Sequence, residues 1–310
     1  MKARTNMLPE SAENFLNYLH MKNSSEGTIT GYKSNLNIFF DFIKSYKKAK
    51  DINTKTIKNI KLTDLYAFLN YAEKELKNSP ATRARKVACL QSYYNYIYKK
   101  EKLVSENIAE ELDQIKIPKT KPVALSVEQS KLLLTAPSKE KLFFTRDKCI
   151  LTLFLNCGMR LSELCNIKLS DIKGNKVVIN GKGAKQRYAF LNESCIKALN
   201  NYLEDRQKID ILKGNEDYLF ITKFKKAIGV QAVQTMVKDC LNRVGLDVDL
   251  YHTHTLRHAF ATMTYENQHV DVIKLAELLG HNNVNTSRIY ITIDENDLQK
   301  IADNNPLNNL

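Results

Sequence analysis

Apolar residues recur every three or four positions over most of this chain, the pattern of helices that bury one face. Ser11 to Met21 turns Phe15, Leu16 and Leu19 inward and stops before the polar turn Lys22-Asn23-Ser24-Ser25. A second helix opens near Gly27-Thr28 and carries Ile29, Tyr32, Leu36, Phe39, Phe40 and Ile43 on one stripe. Thr63 is the expected N-cap of a third, with Leu65, Phe68, Leu69 and Ala72 inward. Ser79-Pro80 pairs a capping side chain with a proline in the first turn, and the helix it opens runs to about Lys100. The tyrosines at 93, 94, 96 and 98 on that helix read as core and rim packing rather than as a stacking platform.

The periodicity then fades. Ile115 to Pro122 is basic and holds two prolines, which favour extended backbone. The expected layout is a helical domain over 1–104, a basic linker over 105–123 and a second domain over 124–310. Ser126 with Gln129 three places on has the form of a capping box. Arg146 to Asn156 is an apolar core helix, broken by Cys157-Gly158, and Arg160 to Ile167 starts another. Lys176 to Asn180 and Gln186 to Leu191 are strands, joined as a β-hairpin by Gly181-Lys182-Gly183-Ala184-Lys185. Further helices are expected over 194–207, 231–244, 254–266, 270–279, 284–290 and 295–302. The pattern implies a mainly α protein with a small β-hairpin or sheet, in two domains.

Charge adds a partner. The 310 residues carry 47 Lys and Arg against 34 Asp and Glu, a net of +13, and residues 1–123 hold 22 of the cations against 13 of the anions. A basic first third suits a polyanion, most simply nucleic acid. The six cysteines form no CxxC pair and read as reduced, structural thiols. Met1 to Phe15 has no apolar signal segment, and the apolar run around Cys149 to Leu155 is too short for a bilayer, so a cytoplasmic protein with no membrane partner is expected.

The candidate chemistry lies late in the chain. His254-Thr255-Leu256-Arg257-His258 is followed by Leu279-Gly280-His281 and then Tyr290, with Arg160 upstream in Gly158-Met159-Arg160-Leu161-Ser162-Glu163-Leu164 and Lys182 in the hairpin turn. His254 and Arg257 are three apart and share a helix face. A metal site is not expected: Thr255 stands where a metalloprotease helix needs glutamate, and no carboxylate cluster lies nearby. Guanidinium groups grip two phosphate oxygens at once, and a phenol can attack the phosphorus they hold. Outside this set, Lys33 on the second helix and Arg83 and Lys86 near the start of the helix from Ser79, with Thr82 and Arg85, are candidate DNA contacts.

These motifs, in this order, resemble the tyrosine recombinase (phage integrase) family, and most of all its Xer-like branch. The spacing of nine positions from His281 to Tyr290 fits it too. The resemblance implies a helical core-binding domain plus a catalytic domain, closing as a clamp on double-stranded DNA. It implies Tyr290 as the nucleophile that forms a 3′-phosphotyrosyl bond, and Arg160 and Arg257 as clamps on the non-bridging oxygens. Lys182 would be the acid for the leaving 5′-oxygen, with Lys185 as the alternative. His254 would manage the tyrosine proton, His281 would bond the phosphate and Glu163 would hold Arg160. His258 fits the family pattern in a structural role. No cofactor is implied. The partners would be paired recognition half-sites, synapsed by a homotetramer. Integration, excision, inversion and dimer resolution stay open. So do two other readings, a type IB topoisomerase-like enzyme and a non-catalytic DNA-binding regulator on the same fold. Leu298 and Ile301 in the tail would dock on a neighbouring subunit or fold back.

Overall fold

Side-chain caps set where the helices begin. In the computed structural model, which describes residues 8–118, 123–138, 143–180, 186–268 and 271–280, Ser25, Asn53 and Ser79 accept from the backbone N–H three residues on. They open α2 (Glu26–Tyr46), α3 (Thr54–Lys58) and α5 (Pro80–Lys99), which join α1 (Glu10–Met21) and α4 (Leu62–Lys74) in the first of two units, Met1–Thr120. The expected cap at Thr63 is two residues late, since the N-cap is Lys61. The Asp64 carboxylate accepts from the Lys61 N–H at 2.7 Å, so α4 starts at Leu62 and Thr63 is left exposed. The short α3 is an element the apolar spacing did not reveal.

The core of this unit is aromatic. Phe15, Phe39, Phe68, Tyr93 and Tyr94 are buried among Leu36, Ile43, Leu65 and Leu90. The Ser11 hydroxyl bonds that of Tyr93 at 2.7 Å, while Tyr96 packs at the rim and Tyr98 is exposed. Ala109 and Leu112 are buried in the same core and Ile108 and Ile115 pack against it. The first half of the segment 105–123, whose charges are acidic, is therefore an extension of this unit, and the lysines of the expected basic linker fall only from Lys116 onward.

The second unit, Lys121–Leu310, is built round α7 (Phe144–Cys157), whose Cys149, Ile150, Leu151, Leu153, Phe154 and Leu155 are all buried. Such a helix, apolar on nearly every side, belongs in the middle of a domain. It packs on α9 (Glu193–Arg206) and α11 (Thr253–Gln268). Around it stand α6 (Val127–Leu133), α8 (Leu161–Cys165), α10 (Val230–Arg243) and α12 (Val272–Leu279). The Ser126–Gln129 capping box forms as read, with the two reciprocal bonds at 2.9 and 3.2 Å.

A three-stranded antiparallel sheet lies in the order β1 (Ile172–Lys173), β2 (Lys176–Asn180), β3 (Gln186–Phe190). Val177 pairs with Ala189 and Ile179 with Arg187. Val177, Ile179 and Ala189 turn to the core, which puts Arg187 on the inward face and leaves Tyr188 and Phe190 outside. Among the described residues, no helix is long and apolar enough to cross a membrane.

Candidate active site

The site begins where α7 must stop. Gly158 takes a left-handed C-cap, φ 57°, and an added Cβ there would overlap the Phe260 ring. Two residues later Arg160 is the N-cap of α8, its own N–H bonded to the Glu163 carboxylate at 2.8 Å. This reversal of the chain brings the Arg160 guanidinium out beside the C-terminus of α12. Its Nη1 donates to Glu163 Oε1 at 2.6 Å and its Nη2 to the Gly280 carbonyl at 2.8 Å. The side chain stays 38% exposed, so its other N–H groups can meet a ligand.

Arg257 comes to the same place from α11. Its Nη1 donates to the Gly158 carbonyl and its Nη2 to the Leu279 carbonyl, both at 2.7 Å. A buried guanidinium thereby ties the C-cap of α7 to the last residue of α12. Both carbonyls belong to helix ends, where the backbone has acceptors left over.

Glu163 is the hub. Its carboxylate, 6% exposed, meets Arg160 on one oxygen and Arg187 Nη2 on the other at 2.7 Å, with Arg257 Nη1 3.9 Å away. Burial alone would raise the pKa of this carboxyl. The charge of Arg187 and the bonds from Arg160 outweigh it and hold the group below the ordinary glutamate range. Three guanidinium groups around one carboxylate leave the spot strongly positive.

The α11 helix also presents His254, exposed at the edge of this cluster. Desolvation, then the charges of His252, Arg257 and Arg160, lower its pKa, so it is a neutral base at pH 7. His258, half-buried one turn on, is lowered for the same reasons: desolvation first, then His254 and Arg257.

The structure thus unites Arg160, Glu163, Arg257 and His254 from two stretches nearly a hundred residues apart. Lys182, Lys185, His281 and Tyr290 lie outside the described residues, as do the helices expected over 284–290 and 295–302. Arg187 was missed. The signal was present, since strand alternation puts position 187 on the face of Ala189, and a cation at a core-facing strand position needs a buried partner.

Of the candidate DNA contacts, Lys33 is exposed, 4.0 Å from Glu13, and Arg83 is held by Glu73 at 2.8 Å. Lys86 needs correction. It is 2% exposed, donates to Asn35 Oδ1 at 3.2 Å and lies over the Phe68 ring, so it serves the core and not a phosphate.

Comparison with known proteins follows the same division. Residues 124–297 match the phage integrase family and residues 12–101 match the phage integrase N-terminal SAM-like domain. The tyrosine recombinase XerC of Caldanaerobacter subterraneus subsp. tengcongensis is 42% identical over 96% of this chain and 87% of its own. Among solved structures, the XerH site-specific recombinase bound to its difH substrate superimposes with a TM-score of 0.72, at 24% identity over 94% of this chain and 83% of that one. A lambda integrase tetramer bound to a Holliday junction gives 0.66, at 15% identity over 92% and 79%.

Proposed function

We propose, for a chain that belongs to the phage integrase family and is a site-specific tyrosine recombinase of the Xer type, that Tyr290 cuts DNA by attacking the scissile phosphorus. The phenolic oxygen forms a 3′-phosphotyrosyl bond and the 5′-oxygen leaves, taking its proton from Lys182. Reversal by a 5′-hydroxyl from the other duplex rejoins the strands, and the bond energy is kept in the phosphotyrosine. Arg160 and Arg257 hold the two non-bridging oxygens, His281 bonds the same phosphate and neutral His254 accepts the Tyr290 proton. Positive groups fixed before the substrate arrives stabilise the charge that grows on phosphorus without having to reorganise.

One observation carries this reading: Arg160 and Arg257 converge on the Glu163 carboxylate and on the last carbonyls of α12, directly ahead of His281. That is a shared focus of positive charge, not a scatter of surface cations. The working form is a homotetramer on two synapsed duplexes, each with paired half-sites, supported by the tetrameric assembly of the lambda relative. Lys33 and Arg83 add phosphate contacts from the first unit.

The test is a nicked suicide duplex carrying the recombination site, incubated with the chain in EDTA. A covalent protein–DNA adduct is expected, and Tyr290→Phe should abolish it while duplex binding persists. An adduct that survives Tyr290→Phe would remove Tyr290 from the reaction.

A further inference from the structure

Arg187 sits where a strand pattern should place an apolar residue. Its partner across the sheet is Ile179, its inward neighbour is Ala189, and its side chain is only 13% exposed. Buried this way it serves other protein groups. Nη2 donates to Glu163 Oε2 at 2.7 Å and Nη1 to the Leu278 carbonyl at 3.1 Å, 91 residues further along. The stem crosses Gly280, where a Cβ would come within 2.6 Å of Arg187 Cδ and 2.8 Å of its Nε. Gly280 is therefore needed twice, for its φ of 66° and for the room it leaves this arginine.

We propose that Arg187 is a positioning residue for strand cleavage: it occupies the second oxygen of Glu163 and pins the end of α12, and so sets both Arg160 and the turn that leads to His281. The proposal rests on the reading of Arg160 and His281 as phosphate ligands. Its logic is electrostatic. A carboxylate as buried as Glu163 needs more than one close cation. With Arg187 removed, Arg160 becomes its only hydrogen-bonded partner among the described residues, and the charge of Arg160 is cancelled at the phosphate. At the same time Leu278 loses its donor, and the C-cap that launches His281 loses one of the three arginines holding it. Lysine can restore the charge but not the rigid planar fork with which the guanidinium spans Glu163 and Leu278.

The experiment uses the full chain at saturating concentration on the suicide duplex, with single-turnover cleavage and duplex affinity measured side by side. Arg187→Met should cleave on the order of 10²-fold more slowly, the scale of a misplaced catalytic group, with affinity within about threefold of the unaltered chain because the Arg187 guanidinium is buried and spent on protein groups. Arg187→Lys should fall between the two. Glu163→Gln combined with Arg187→Met should be no slower than Arg187→Met alone, because the carboxylate that captures Arg160 is gone. Cleavage by Arg187→Met near the unaltered rate, a loss of affinity equal to the loss of rate, or fully additive defects in the double variant would each overturn the proposal. If Arg187→Met does not fold, Arg187→Lys decides: slower cleavage at unchanged affinity supports it, and unaltered cleavage overturns it. Absence of any adduct with the unaltered chain would instead overturn the assignment of the reaction.

Discussion

At Gly158 the backbone is left-handed, and the volume a side chain would need is already filled by Phe260 and Leu279. The carbonyl of the same residue accepts from Arg257. Gly158→Ala therefore combines backbone strain with overpacking and should cost about 2–4 kcal/mol, read by urea unfolding. It should also slow cleavage, because the anchor of Arg257 moves. A variant as stable and as active as the parent would show that the turn tolerates a Cβ. His254 gives a second prediction at this scale. In its proposed role as the base for the Tyr290 proton, its useful form is the deprotonated one. A folded pKa below the ordinary value means that form persists to lower pH. The acidic limb of cleavage should accordingly fall below about 6.5, the pKa of a free histidine. His254→Gln should lower the plateau and remove that limb. A limb at or above the free-histidine value would contradict the desolvated setting of the ring.

Helix starts are decided by whichever nearby side chain best satisfies the first orphan N–H groups, and α4 shows how close the contest can be. Thr63 and Asp64 are both capping residues, and sequence alone favours Thr63. In the fold Asp64 wins because it also receives Lys47 at 2.6 Å, a residue of the loop after α2 that the local sequence cannot anticipate. Asp64→Ala should cost about 2–3 kcal/mol, as a lost cap plus an unpartnered lysine. Thr63→Ala should change stability by less than about 0.5 kcal/mol. Equal effects in urea titrations would refute the assignment. Much of the rest was legible. The Ser79-Pro80 and Ser126-Gln129 starts, the apolar α7 and the β2–β3 pair stand as the pattern implied, because each carries its own cap or period. The five-residue α3 and two-residue β1 were not, since neither is long enough to show a period. Arg160, Glu163, Arg257 and His254 were legible as motifs; strand alternation already put Arg187 on the face of Ala189, but its partner Glu163, 24 residues away, was not legible from any local pattern.

Across the whole molecule the net charge of +13 governs how strongly DNA is held, but only exposed cations contribute. Each phosphate neutralised by a surface lysine releases a condensed counterion, so affinity for any duplex falls as salt rises, by about 10³–10⁵ between 50 and 200 mM for six to ten contacts. The two lysines of the first unit separate charge from accessibility. Lys33 is exposed and only loosely paired with Glu13. Lys86 is enclosed between Asn35 and Phe68, and desolvation lowers its pKa. On a duplex of arbitrary sequence, Lys33→Ala should weaken binding and flatten the plot of log affinity against log salt by about one unit of slope. Lys86→Ala removes the same formal charge, yet it should leave the slope unchanged and show itself as lost stability instead. Identical slopes for the two variants would mean that total charge, and not the surface on which it is displayed, determines the hold on DNA.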